Sequence, residues 1–280
     1  VSENEDPVNI AVRVMSFNIA HGLGMDGVVD LEKTARVIEE SEVEIIGLQE
    51  VDRFFSARSS FIDQVDWLSK RLGMYAAFGA NLNVESEELE RPIAQYGNAV
   101  LSKYPIRYAE NHKLTQVIAP IGNNEPRGIL ETVVDIKGTY ISFFNTHFSL
   151  KDEELKVSVL ELLEISGKSR FPRIVTGDFN APPRHEEMSR IKHHFQDAFL
   201  KVKKGDAYTY PSPYVNQDTR EIFRPATRID YVFTDDGFEV SQAEAIETAV
   251  SDHLPIIADL VLTKIPGRTK QPAKTQSIKL

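Results

Sequence analysis

The chain has 280 residues, of which 41% are apolar and 26% charged, with a net charge of −10 and no cysteine. Such a chain can bury a sizeable core and is neither disordered nor collagen-like in composition. Disulfide scaffolds, thiolate zinc sites and cysteine nucleophiles are excluded, and no window approaches the ~20 apolar residues of a membrane span.

In chain order, residues 1–9 are polar and acidic and read as a flexible N-terminal segment. The chain starts at Val1 without a basic or apolar leader, so the expectation is a secreted protein whose signal peptide has been removed, rather than a cytoplasmic one. Strands are expected at 10–17, 43–48, 97–102, 129–136, 139–146, 173–177, 228–234, 238–247 and 255–262. Lys137-Gly138 reads as a hairpin turn. Helices are expected at 30–41, at 61–73 behind a Ser60 cap, at 152–166 with Gly167 as a stop, and at about 185–194. Residues 10–262 contain no linker and are expected to form one domain, a monomer. Residues 263–280 carry Lys264, Arg268, Lys270, Lys274 and Lys279 without an acid and read as a flexible basic tail. The net charge does not advertise the basic face of a tight nucleic-acid binder, although a local cleft helped by a cation would suffice for a nuclease.

Polar residues recur where apolar strands end. Asn18 follows 12–17, Gln49-Glu50 follows 44–48, and Asn145-Thr146-His147 follows 140–144. Gly177-Asp178-Phe179-Asn180 follows 173–176, Asp230 sits inside a strand, and Ser251-Asp252-His253 precedes the last one. Ligand sites in α/β proteins gather at strand ends. Asn18, Glu50, Asp178, Asn180, Asp230 and Asp252 offer hard oxygen ligands, which suit Mg²⁺ or Mn²⁺ rather than zinc. Histidines beside such acids suit acid–base work and phosphate contact. Metal-assisted hydrolysis of a phosphate ester follows.

In this order the motifs resemble those of the endonuclease/exonuclease/phosphatase (DNase I-like) superfamily, from Asn18 to His253. The resemblance implies a four-layer α/β sandwich, with two packed mixed sheets flanked by helices. It implies that Glu50 is the principal metal ligand, with Asn18 and Asp252 beside it. Asp178 and Asn180 then position or activate water, and His253, held by Asp230, acts as general base. His147 grips the scissile phosphate. Asp178 and His253 both remain candidates to take the water's proton. Asn145-Thr146-His147 and Tyr96-Gly97-Asn98-Ala99-Val100-Leu101-Ser102 resemble motifs of a bacterial branch of that superfamily. Asn98 is expected to face the site, and His21 and Arg127 to reach the phosphate.

Other polar residues have plainer readings. Arg53 and Arg58, just after the metal motif, contact a phosphate flank or balance nearby acids, and His112, His185, His193 and His194 are surface residues. Glu85, Glu87, Glu88 and Glu90 form a solvated loop, Trp67 packs at the core or its rim, and residues 208–214 form a substrate wall or pack over a sheet edge. The expected partner is a phosphate ester: nucleic acid, a phospholipid headgroup or a small phosphodiester. The competing function is a non-catalytic module that binds metal or phosphate without turnover.

Overall fold

Strands buried on both faces need near-continuous apolar runs, and residues 45–48, 141–144 and 231–233 supply them. A computed structural model describes residues 8–85, 91–122 and 124–265. Along it run β1 (Ile10–Asn18), α1 (Leu31–Glu40), β2 (Ile45–Arg53), α2 (Gln64–Leu72), β3 (Tyr75–Val84), β4 (Ala94–Ser102), β5 (Ile106–Lys113), β6 (Gly128–Ile136) and β7 (Thr139–His147). There follow α3 (Asp152–Gly167), β8 (Arg173–Asp178), α4 (Glu186–Lys192), β9 (Gln196–Asp197), α5 (Ala198–Lys201), β10 (Tyr214–Val215), β11 (Ile222–Phe223), β12 (Asp230–Thr234), β13 (Phe238–Ala245) and β14 (Ile256–Leu262).

Two six-stranded sheets result, ordered β13-β14-β1-β2-β4-β3 and β5-β6-β7-β8-β12-β9, with β10-β11 as a separate hairpin. Both sheets are mixed. The first has one parallel pair, β1 with β2, joined through α1. The second has β7 parallel to β8, joined through α3. Alternation along each strand sends consecutive residues to opposite cores. Val14, Ile45, Phe143, Ile174 and Val232 fill the space between the sheets. Their neighbours Met15 and Ile46 face α1 and α2, while Phe144, Val175 and Phe233 face α3 and α4. These are the four layers expected. Each fully buried side chain of this kind contributes about 1.5–3 kcal/mol.

The helix boundaries correct the sequence reading at two places, the Ser60 cap and the Gly167 stop. Ser60 does not cap α2. It ends a short turn at Ala57–Ser59 with φ of 54°, and Phe61 follows at 53°, also outside the helix. Asp63 is the cap, accepting from the Asp66 amide at 3.0 Å, and Gly73 closes the helix in the left-handed region. Asp30 and His185 cap α1 and α4, and α3 includes Gly167 before ending at Lys168. Lys137 and Gly138, with φ of 52° and 94°, make the expected β6–β7 turn. The strands β3 and β5 were not anticipated. Both are sheet edges with few buried positions, so neither shows an apolar run. Most of the acidic run after Glu85, most of the N-terminal segment and most of the basic tail lie outside the described residues.

One charged pair is enclosed completely. Arg228 is 1% exposed and donates to both oxygens of Asp197, at 3.0 and 2.8 Å, with its guanidinium carbon 5.3 Å from the Phe199 ring centroid and 4.7 Å from that of Tyr231. Replacing only the cation strands a buried carboxylate. Arg228→Leu is expected to cost about 3–5 kcal/mol in urea unfolding; a loss below about 1 kcal/mol would show that Asp197 finds another partner.

Candidate active site

The inner faces of the central strands change character toward one end. On β1 the sequence is Val14, Ser16, Asn18; on β2 it is Ile45, Gly47, Gln49; on β7 it is Phe143, Asn145, His147; on β8 it is Ile174, Thr176, Asp178. Core, polar bridge and chemistry thus follow each other in two-residue steps.

The polar tier joins the sheets. Asn145 is fully buried and donates from Nδ2 to the carbonyls of Leu48 and Ala99, at 2.8 and 2.9 Å. Its Oδ1 accepts from Gln49 Nε2 at 2.7 Å and Thr176 Oγ1 at 3.1 Å. Gly47 makes this approach possible, because a Cβ there would lie 2.1 Å from Thr176 Oγ1 and 2.6 Å from Asn145 Oδ1. Just beyond, the β2–β4 register slips between Leu48 and Val51, and Glu50 has φ of 56°. This bulge re-aims the Glu50 side chain, as bulges beside sites do.

In the second sheet, His147, Asp178 and Asp230 lie in one row, because His147 is the cross-strand partner of Asp178 and Asp178 that of Asp230. Two carboxylates directly opposite each other repel. His253 resolves the conflict by placing Nδ1 2.9 Å from Asp230 Oδ2 and Nε2 3.4 Å from Asp178 Oδ2. Asp178 Oδ2 also accepts from Asn18 Nδ2 at 3.0 Å and sits 3.3 Å from His147 Nε2. Asn180, with φ of 50°, donates from its backbone to Asp178 Oδ1 and from Nδ2 to the Phe148 carbonyl, with His147 Nε2 3.1 Å away. Thr209 Oγ1 accepts from the Ile229 and Asp230 amides, fixing the start of β12.

Burial governs the protonation of this cluster. It pushes Asp178 up, against the opposing charge of His253, and pushes His147 well down, helped by Arg127. Burial would lower His253 as well, but Asp230 and Asp178 outweigh it and raise the imidazole. Glu50 is raised by burial, eased by the Asn18 hydrogen bond and raised further by Asp252.

A cleft of about 500 Å³ opens over the cluster, lined on its acidic floor by Glu50, Asp178 and Asp252, with His147, Asn180 and His253 beside them. Arg127 and Glu125 form its rim, 3.3 Å apart. The guanidinium is 8% exposed and its Nε has no hydrogen-bond partner. Tyr210 is the member of 208–214 that lines this cleft, packing 4.8 Å from the His253 ring.

Three expected positions sit differently. Asn18 turns its amide to Glu50 and Asp178, both at 3.0 Å, while its Oδ1 accepts from the Ala20 amide. It therefore ties two acids together through its amide nitrogen, while its Oδ1 carries a single hydrogen bond. Asn98 is buried and points to the Gly128 carbonyl at 3.4 Å, so it bears on the strand that follows Arg127. His21 is half-buried, and its imidazole is lowered by burial and by Arg58; like Asn98, it does not line the cleft. Arg53 and Arg58 pair with Asp63 and Asp52, as their plainer reading anticipated. His112 is not a free surface residue, since its Nε2 lies 2.6 Å from Glu131 Oε2.

Glu50 and Asp252 suit a hard divalent cation, being two carboxylates on one cleft, the first of them half-buried beside a like charge. Asp178, Asp230 and His253 also bring donor atoms within 4.8 Å of one another. There, however, each imidazole nitrogen already faces a carboxylate.

The sequence profile of the Endonuclease/Exonuclease/phosphatase family matches residues 15–253, and the chain belongs to that family. Members of this superfamily are typically phosphoesterase hydrolases that use divalent metals. The curated relative YbhP of Escherichia coli, itself uncharacterized, is 24% identical over 180 residues, which span 61% of this chain and 65% of that protein. The crystal structure of an endonuclease/exonuclease/phosphatase from Beutenbergia cavernae is 25% identical, with a TM-score of 0.72 over 90% of this chain and 72% of that one. A mannosyl-6-phosphatase from Bacteroides thetaiotaomicron shares the fold at 18% identity, with a TM-score of 0.65 over 89% of this chain and 99% of that one.

The bridging role of Asn145 was not anticipated, although a carboxamide between Phe143 and His147 on an inner face demands partners. Asn145→Leu keeps the bulk and removes four hydrogen bonds. Calorimetric unfolding is expected to show a loss of at least about 3 kcal/mol, given about 1–3 kcal/mol for each buried group left unpaired.

Proposed function

We propose that this protein is a divalent-metal phosphodiesterase for small phosphodiesters, with Mg²⁺ or Mn²⁺ held by Glu50 and Asp252. The observation that carries the reading is the convergence of Asn18, His147 and His253 on one oxygen of Asp178, beside those two carboxylates, in a single cleft. The cleft floor is acidic and would repel a phosphate by itself. A bound cation would neutralise phosphate charge and polarise a phosphoryl oxygen.

The remaining work falls to the chain's own groups. Asp178 and Asn180 hold the attacking water, and Asp178 with His253 acts as one proton-accepting unit. Asp230 fixes the imidazole through Nδ1, leaving Nε2 toward Asp178. His147 and Arg127 hold the scissile phosphate as negative charge builds on it. Tyr210 and Pro182 form the apolar side of the cleft and help exclude bulk water. A small substrate is favoured because Arg127 is the only Arg or Lys lining the cleft among the described residues. An extended polyanion would need more.

Hydrolysis of bis(p-nitrophenyl) phosphate with Mg²⁺, with Mn²⁺ and with EDTA tests the reading. Turnover is expected to need the metal and to be lost in Glu50→Gln. Asp178→Asn and His253→Ala are expected to lower it by about a hundred- to ten-thousandfold, and Asp230→Asn by less. Turnover that survives EDTA, or a Glu50→Gln enzyme near full rate, would contradict the assignment; metal binding without turnover would favour a binding module.

A further inference from the structure

A second cleft of about 410 Å³ adjoins the first and shares Glu125 with it. Its walls include Phe55, Arg58, Leu82, Tyr96 and Pro126. None of Phe55, Leu82 and Tyr96 belongs to the three hydrophobic cores, so core packing does not account for them.

Arg58 organises this wall. Its guanidinium carbon lies 4.4 Å from the Phe55 ring centroid and 5.3 Å from that of Tyr96, and the two rings are 5.7 Å apart. The fork is locked from behind by Asp52, which is fully buried and accepts from Nε at 2.9 Å and Nη2 at 2.7 Å, and from Ser59 Oγ at 2.7 Å. The Arg58 side chain is still 38% exposed. Its charge is matched by Asp52, and Glu125 stands at the junction with the catalytic cleft. A second phosphate would find no unmatched cation here among the wall residues. A neutral planar group would find aromatic faces and a guanidinium plane held in one orientation. The wall is also close to the chemistry, since the Tyr96 hydroxyl feels the charges of Glu50 and Glu125.

We infer that this second cleft is a specificity subsite that takes an aromatic or heteroaromatic ring carried by one substituent of the phosphoester. The inference rests on the phosphoesterase reading and narrows it. The scissile phosphate sits over Asp178, one substituent lies along Tyr210 and Pro182, and the ring-bearing one lies along Phe55 and Tyr96. Aryl esters and nucleosides share this chemistry.

Phosphonates carry no ester and cannot be turned over, so their binding reads the subsite independently of catalysis. With Mn²⁺ present, titration calorimetry of phenylphosphonate and cyclohexylphosphonate compares a planar ring with a saturated one of similar size. Phenylphosphonate is expected to bind about fivefold tighter. The preference should shrink to less than about twofold in Phe55→Leu and in Arg58→Lys, which keeps a cation on Asp52 and removes the plane. It should persist in Leu150→Ala, at a position that lines the catalytic cleft and not the second one. In a parallel arm, adenosine monophosphate is compared with ribose phosphate, using a His253→Ala protein that suppresses turnover and leaves Glu50 and Asp252 to the metal; the phosphonates are titrated in the same protein. A larger gain from adenine than from phenyl assigns a nucleoside, and a smaller one an aryl group. Equal binding of the two phosphonates, or a preference untouched by both variants, would overturn the subsite alone. Failure of every phosphonate and phosphate to bind would overturn the phosphate site, and the subsite with it.

Discussion

One buried carboxamide holds the two halves of this site in register, with three of its four hydrogen bonds crossing between the sheets. Asn145 belongs to β7, yet its amide grips carbonyls of β2 and β4, and its oxygen accepts from Gln49 and Thr176. Two sheets packed by apolar side chains alone could slide, because dispersion has little directional preference. A fully satisfied polar layer has one geometry and is costly to leave half made. Glu50 lies one residue beyond Gln49, and His147 two beyond Asn145. The carboxylate of one sheet and the imidazole of the other are therefore set by the same three cross-sheet bonds.

Electrostatics then shapes what this frame presents. The register places Asp178 opposite Asp230 and would be unfavourable without a cation between them. His253 comes from the segment before β14, in the first sheet, so the ion pair also ties the sheets together at the level of the chemistry. Asn18 performs the same task for Asp178 and Glu50 through a neutral amide. Much of the polar content of the site thus serves to place acids beside each other, leaving Glu50 and Asp252 to the cleft. Strand ends are where such an arrangement is accessible to a ligand.

The sandwich and most of the site were legible because their signals are local. A strand buried on two faces is apolar residue by residue, and an acid or imidazole at its end stands out. The chemistry-bearing motifs fall within a few residues of such ends, from Asn18 to His253. What escaped is nonlocal or exposed. β3 and β5 are edges whose outward residues are polar, so Tyr75–Val84 and Ile106–Lys113 show no continuous hydrophobic run. The Ser60 cap failed because Asp63 is an equally good cap three residues later and a tight turn intervenes. Asn18 stands out by type as a site residue, but its tie to Asp178 comes from the other sheet and leaves no local signal. Asn145 was visible as part of a motif, but its partners lie 31 to 97 residues away. Tyr96 reaches Phe55 and Arg58 through the β2–β4 pairing.

In the proposed reaction, water attacks phosphorus at Asp178 and His253. Hydrolysis of a phosphodiester in water enriched in heavy oxygen tests it most directly, with mass spectrometry of both products. One labelled oxygen per turnover in the phosphoryl product, and none in the released alcohol, is the result this site requires. Label in the alcohol would mean that the carbon–oxygen bond breaks instead, and would contradict the assignment.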